Sequence, residues 1–230
     1  MQPGAGTAGT NRSRHIVWDW NGTVLGDSRV LIDSVISAFT ATGFAAVEVE
    51  DHQRHFRRPI AEFFEKLANR PLTDGEQRSL QHHFDLAYEE HSARVTLTND
   101  ARHALSTWVR AGHTQSLLSM CPHDRLVPLV QKHGVLTFFT RVDGCAPDGP
   151  DTKAWHLKEH LRALDRIEPD DVVLVGDTVD DALAARAADI RCVVYHSGGD
   201  ALQGIEHFSG MNVPIVRTLS DAVAYALQNS

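Results

Sequence analysis

The stretch "VVLVGDTVDDALAARAADIRCVVY", residues 172–195, decides the fold. A short apolar run ends abruptly at Gly176 and Asp177. An alanine-rich helical segment, "DDALAARAADI", follows, and a second apolar run, "RCVVYH", closes the unit. Short continuous apolar runs bounded by turn signals suit strands buried on both faces of a parallel sheet.

The same texture recurs on either side. "HIVWD" (15–19), "TQSLLSM" (114–120), "FFTRVDG" (138–144) and "VPIVR" (213–217) read as further strands. Helices are expected in "DARHALSTWVRAG", "HDRLVPLVQKHG", "DTKAWHLKEHLRALD", "DALQGIEHF" and "LSDAVAYALQ". Pro128 is tolerable in such a helix only near its first turn. Strands alternating with helices imply right-handed crossovers and a doubly wound parallel sheet of the α/β class. Ligands of such sheets sit beyond the carboxyl ends of the strands. That rule selects Asp19 to Thr23, Ser119 to Cys121, the loop before Lys153, and Gly176 to Asp181.

Residues 44–95 break the alternation. They are rich in His, Arg, Glu and Phe and contain no convincing strand. "DSRVLIDSVISAFTATG" before them is an amphipathic helix that Asp27 or Ser28 can cap and Gly43 can close. "IAEFFEKLA" and "TDGEQRSLQHHFDLAYEEHSA" read as helices, the second opening on a Thr73/Glu76 cap. The expected division is a flexible tail over 1–13, an α/β core over 14–26 and 97–230, and a helical insertion over 27–96.

The 230 residues carry 42% hydrophobic and 23% charged side chains and a formal charge of -8. A soluble globular chain is expected, and the acidic balance disfavours nucleic acid as a partner. Nothing approaches an apolar membrane span. Three scattered cysteines, Cys121, Cys145 and Cys192, suit reduced thiols and a cytoplasmic location. The expected assembly is a monomer or weak homodimer.

The strand ends supply a consistent chemistry. Asp19 is a carboxylate able to attack phosphorus. Gly22 and Thr23 offer a tight turn, backbone donors and a hydroxyl. Ser119, with the amide of Met120, can hold a phosphate oxygen. Lys153 is a point charge at the start of a helix. Asp177 and Asp181 with Asp19 form an oxygen set that suits Mg²⁺. Positioning and charge neutralisation are most of what phosphoryl transfer needs.

Asp19-x-Asn21-Gly22-Thr23, then Ser119, then Lys153, then Gly176-Asp177-Thr178-x-x-Asp181, resembles the four ordered motifs of the haloacid dehalogenase superfamily. "GDTVDDALAARAADIRCVVY" and "FRRPIAEFFEKL" are similar to its phosphoglycolate-phosphatase-like members. The resemblance covers nearly all of the chain from about residue 15. It implies that Asp19 is the nucleophile and forms an aspartyl-phosphate. It implies Mg²⁺ on Asp19, the Asn21 carbonyl, Asp177 and Asp181, and a phosphoryl group on Ser119 and Lys153. It makes the helical insertion a cap, hinged at Val24 to Ser28, and the substrate a small phosphorylated metabolite. Arg57, in a cap loop, is a candidate for reading a substrate anion.

Position 21 departs from the pattern. Most phosphatases of the family carry an acid there, which protonates the leaving oxygen and then activates water. Asn has no titratable proton, and such acid–base help is typically worth about 10² to 10⁴ in rate. Compensation can come from a good leaving group, from a donor such as His52, His55 or Arg57, or from a persistent phosphoenzyme as in P-type ATPases. The alternative is C–P cleavage as in phosphonoacetaldehyde hydrolases, which Trp20 beside the nucleophile resembles; Lys66 would then form the imine. A weakly active phospho-ligand-binding member is the other rival.

Three features have plainer readings. "HLKEH", His156 to His160, matches a zinc-protease pattern, but 14 histidines make chance matches expected. Cys121 is a buried filler or a pocket wall. Trp18 belongs to the core, and Trp20 is free to wall the pocket.

Overall fold

The computed structural model describes residues 13–146, 149–164 and 167–228. The expected tail, apart from Ser13, and part of the loop before Lys153 lie outside these. Six parallel strands form one sheet in the order β3-β2-β1-β4-β5-β6. They are β1 (His15–Trp18), β2 (Thr114–Pro122), β3 (Val142–Cys145), β4 (Val172–Gly176), β5 (Arg191–Tyr195) and β6 (Ile215–Val216). The first strand sits between β2 and β4, with Ile16 opposite both Gln115 and Val173. The strand order therefore reverses beside β1, and a ligand crevice is expected at the carboxyl ends of β1 and β4.

Period-two alternation splits β1, β2, β4 and β5 between two cores. Val173 and Val175 pack with Ile16, Trp18 and Leu117 on one face. Val172 and Leu174 pack with Val17, Leu118 and Leu157 on the other. Helices cover both faces, which is why these strands read as unbroken apolar runs.

Between β1 and β2 the chain forms α1 (Ser28–Ala41), α2 (Val49–His55), α3 (Ile60–Ala68), α4 (Asp74–Ser92) and α5 (Ala101–Arg110). Helices α1, α3 and α4 share a separate cluster around Val35, Phe39, Phe63, Phe64 and Leu80, which Val47 and Phe56 join from either side of α2. The chain leaves and re-enters the sheet side by side: Thr98 N donates to Val24 O (2.9 Å) and Gly26 N to Thr96 O (2.9 Å). The remaining helices are α6 (His123–Lys132), α7 (Lys153–Arg162), α8 (Val179–Ala187) and α9 (Leu219–Gln228).

Four expectations need correction. No helix was foreseen at 49–55; α2 lacks apolar periodicity and is fixed by a Glu48/Asp51 capping box. The helix expected over 200–208 shrinks to a single turn, Ile205–Phe208. Its upstream half is turn and bend instead, held where Gln53 donates to the carbonyls of Gly199 (2.9 Å) and Ala201 (2.8 Å). Pro128 lies inside α6, past its first turn. Asp27 precedes α1 without capping it; its carboxylate is engaged elsewhere.

Candidate active site

Asp19 follows the last residue of β1, and its amide donates to Val175 O on β4 (2.8 Å). Asp177 follows β4 directly. The sheet thus delivers two carboxylates to the reversal point. A third, Asp181, comes from the first turn of α8. There it forms a capping box, accepting from Thr178 N (3.0 Å) and Thr178 Oγ1 (2.6 Å) through Oδ2. One oxygen from each of the three lies within 4.8 Å of the others. A Cβ at Gly22 would collide with the Asp177 carboxylate, and one at Gly176 with that of Asp181. Both positions require glycine for this close approach.

Lys153 opens α7 and is 2% exposed. Its Nζ donates to Asp19 Oδ1 and to Asp181 Oδ1. Its amide donates to Asp180 Oδ2 (3.0 Å), so Asp180 orients the start of α7 rather than standing in solvent. Burial works against a charge on Lys153, but Asp181 and Asp19 outweigh it and hold the ammonium above its ordinary range. Burial also opposes ionisation of Asp181, yet Lys153 and Thr178 keep that carboxyl below its usual range. Burial, with the charges of Asp19 and Asp181, pushes Asp177 well up. Burial pushes Asp19 up to about 7 against the pull of Lys153.

One ammonium among three carboxylates leaves the cluster short of positive charge. Asp177 Oδ2 is buried with no hydrogen-bond partner. A hard cation fits that oxygen set and would meet the orphaned acceptor. Asp19 and Asp177 are the available ligands, whereas both oxygens of Asp181 are already engaged.

Asn21 spans two neighbours. Its Nδ2 donates to Asp27 Oδ2 (2.6 Å), and Ser119 Oγ donates to its Oδ1 (3.4 Å). Asp27 also accepts from Gly22 N (2.7 Å) and from Tyr88 Oη on α4 (2.7 Å). Gly22 and Thr23, expected to meet the substrate, are therefore turned inward. The Gly22 amide is spent on Asp27, and Thr23 Oγ1 donates to Asp177 Oδ1 (3.2 Å). Neither lines the adjoining cavity. Asp27 and Tyr88 were missed by the sequence reading. The sequence offers Asp27 as a helix cap, and nothing local links it to a residue 61 positions away.

A cavity of about 580 Å³ opens beside Asp19. Asn21, Ser119, Met120, Lys153, Asp177 and Asp181 line it together with Arg57. Arg57 is exposed, and its Nε donates to His55 O (3.2 Å). Cys121 also lines the cavity, but burial raises its thiol to about 11, so it is no thiolate at neutral pH. Of the positional donor candidates, His52 and Arg57 line the cavity and His55 does not. Trp20 does not wall it; its indole is buried in the core and meets His133 edge-on. Lys66 is exposed and absent from the lining, where Lys153 is the sole lysine among the described residues. The imine reading thus loses its residue. The zinc reading fails as well: His156 meets Pro150 O (3.0 Å), and His160 bridges Asp143 Oδ2 and Ser116 Oγ (2.7 Å each). Among the described residues no helix is long and apolar enough to cross a membrane.

Comparison with known proteins agrees with this geometry. A curated phosphoglycolate phosphatase of Vibrio vulnificus (strain CMCP6) is 24% identical over 227 residues, covering 92% of each chain. Among solved structures, a haloacid dehalogenase-like family hydrolase from Streptococcus pneumoniae superposes with a TM-score of 0.78 at 15% identity. It covers 93% of this chain and 98% of its own. A hydrolase from Pseudomonas syringae gives 0.72 at 13% identity, covering 95% and 100%. At such identities the structures speak for the fold alone. The model of the haloacid dehalogenase-like hydrolases matches residues 14–189, most of the chain, and the protein belongs to that family.

Proposed function

We propose that the protein is a Mg²⁺-dependent phosphatase that hydrolyses a small phosphorylated metabolite through an aspartyl-phosphate on Asp19. The observation that carries this reading is the Asp19–Lys153–Asp181 ion-pair network with Asp177, placed at the sheet reversal and open to one cavity. The names of the curated relatives support a phosphate ester as substrate.

Asp19 attacks phosphorus, and the bond to the leaving oxygen breaks. Lys153 offsets the repulsion between that carboxylate and the incoming phosphate dianion. Ser119, on β2, holds a phosphoryl oxygen. Asp181 and Asp180 act through Lys153, fixing its head and its helix. Mg²⁺, which Asp19, Asp177 and the Asn21 backbone carbonyl would hold, would supply further charge neutralisation when bound. Helices α1–α4 serve as a cap, and the paired crossings at 24–26 and 96–98 serve as its hinge.

The test is Mg²⁺-dependent turnover of a panel of phosphate esters and acetyl phosphate by wild type and Asp19→Asn. Loss of all turnover in the variant is expected. Undiminished turnover would remove Asp19 from the mechanism.

A further inference from the structure

The cavity that holds Asp19 is larger and greasier than a small polar phosphate requires. Leu31, Val35, Phe56, Phe63, Phe64 and Phe84, all from the helical segment, line it. Its volume of about 580 Å³ falls in the range that encloses drug-sized ligands, roughly 300–1,000 Å³.

His52 lies in this aromatic wall and is 1% exposed. Its ring stacks on Phe56 (5.3 Å, 12°) and meets Phe63 edge-on (5.0 Å, 77°). The ring hydrogen-bonds the Leu202 backbone, and Nδ1 is buried with no partner. A neutral imidazole that donates through one nitrogen accepts through the other. A buried acceptor left unpaired is costly, so a donor arriving with a ligand would meet an unmet need at Nδ1. At the phosphoryl end, Asn21 carries no titratable proton and its amide is held by Asp27 and Ser119.

We propose that the substrate is an aryl phosphate whose ring carries a hydrogen-bond donor, the ring seated among Phe56, Phe63 and Phe84 and the donor on His52 Nδ1. The proposal rests on the phosphatase reading above and names its leaving group. Aromatic rings in offset or edge-on contact attract one another beyond what burial alone supplies. A phenolic oxygen has a conjugate acid near 10, as in tyrosine, against about 15.7 for water. It therefore departs as an anion with little need of an acid.

The steps balance without a donor at position 21. An Asp19 oxygen bonds to phosphorus, and the P–O(aryl) bond breaks with its electron pair staying on the phenolate. Water then bonds to phosphorus as the bond to Asp19 breaks, giving dihydrogen phosphate and the free carboxylate. Dihydrogen phosphate passes one proton to the phenolate, leaving phenol and hydrogen phosphate.

Calorimetry on Asp19→Asn with Mg²⁺ separates binding from turnover. The probes are 1-naphthyl phosphate, its ring-hydroxylated isomers, glycerol phosphate and inorganic phosphate. Naphthyl phosphate is expected to bind at least tenfold tighter than glycerol phosphate. One hydroxylated isomer is expected to gain roughly a further fivefold to tenfold, the worth of one hydrogen bond. Adding His52→Phe should erase the hydroxyl gain alone. Phe84→Ala, on a different helix, should weaken naphthyl binding about tenfold and leave glycerol phosphate unchanged. Equal binding of naphthyl and glycerol phosphates overturns the proposal, as does an equal effect of His52→Phe on plain and hydroxylated rings. If wild type turns over glycerol phosphate as efficiently as naphthyl phosphate, this inference falls and the phosphatase reading stands. If wild type turns over no phosphate compound at all, both fall.

Discussion

Asn21 Nδ2 lies 2.6 Å from Asp27 Oδ2, and the amide is the donor. The residue that departs from the family pattern is thus not a loose replacement. It is one of three donors on a fully buried carboxylate, with the Gly22 amide and the Tyr88 hydroxyl. Burial raises the Asp27 carboxyl, and those three donors oppose the rise. The loop after β1 is therefore tied to α4 through Asp27.

Asn21→Asp sets two carboxyl groups in that contact. Carboxyls this close share a proton, because both cannot ionise. That proton becomes available to a leaving oxygen. Turnover of alkyl phosphates is expected to rise by about 10² or more. Turnover of aryl phosphates should rise by less, since their leaving groups need little help. The gain should fade as pH rises through the upper pKa of the pair, which holds one proton below it and none above. An unchanged alkyl rate would show that the missing acid is not what limits the enzyme.

Tyr88→Phe and Asp27→Asn should separate tethering from chemistry. Removing the tyrosine hydroxyl deletes one donor, at about 1 kcal/mol. For a chain of this size that lowers the melting temperature by roughly 2–4 °C. Asp27→Asn turns an amide NH₂ toward donors that need an acceptor. It is expected to cost about 3 kcal/mol and to release the Asn21 side chain. Thermal melts check both. Equal stability of Asp27→Asn and wild type would show that the three hydrogen bonds do not hold the loop.

Stabilisation by Mg²⁺ should grow with pH. Burial raises both Asp177 and Asp19 above the ordinary carboxylate range, Asp19 to about 7. The metal-free fold therefore keeps protons on these groups to higher pH than the unfolded chain, whose carboxyls release theirs near 3.9. A cation must displace those protons, so its apparent affinity falls as pH falls. At a hundredfold excess over Kd it contributes about 2.7 kcal/mol. The rise in melting temperature on adding Mg²⁺ should be larger at pH 8 than at pH 6, and Asp177→Asn should suppress it at both. An identical rise at the two pH values would contradict a site built on proton-loaded carboxylates.

Asp19, Lys153 and Asp177 were legible because each directly follows a strand or opens a helix, and strand ends are visible as the termini of apolar runs; Ser119 lies on β2, three residues short of its end. Gly22 and Thr23 were misjudged for a related reason. Sequence shows that a turn offers donors but not where they point, and here Asp27 and Asp177 receive them. Tyr88, Gln203 and Asp151 were invisible. Their roles exist only in contacts between distant segments. Gln203 links Val179 N (2.7 Å) to Phe56 O (2.8 Å), and Asp151 accepts from Arg58 and from Ile60 N (2.8 Å). The aromatic lining of the cavity was missed too, since the phenylalanines of a helical segment read first as its own core.

A chain of polar groups with buried His15, Ser116 and His160 at its centre sets an acid limit on stability. Asp143 Oδ2 meets His160 Nδ1, His160 Nε2 and His15 Nε2 share Ser116 Oγ, and His15 Nδ1 meets Thr114 Oγ1, all at 2.7–2.8 Å. One arrangement satisfies every group. His160 Nδ1–H donates to Asp143, Ser116 Oγ–H to His160 Nε2, His15 Nε2–H to Ser116 Oγ, and Thr114 Oγ1–H to His15 Nδ1. Ser116 then has a hydrogen-bonded imidazole on either side and is enclosed rather than nucleophilic. Burial, with a smaller push from His160, lowers His15 to about 4. The unfolded chain, with histidine near 6.5, takes up that proton first. Stability from this group is full above about pH 6.5 and is lost as pH falls towards 4. The loss is on the order of 3 kcal/mol at most. His15→Gln should lower stability at pH 8 and flatten the decline between pH 6.5 and 4, measured by urea unfolding at each pH. Ser116→Ala should cost about 1–3 kcal/mol without changing the kcat of phosphate hydrolysis. A loss of kcat at full stability would make this chain part of the active site instead.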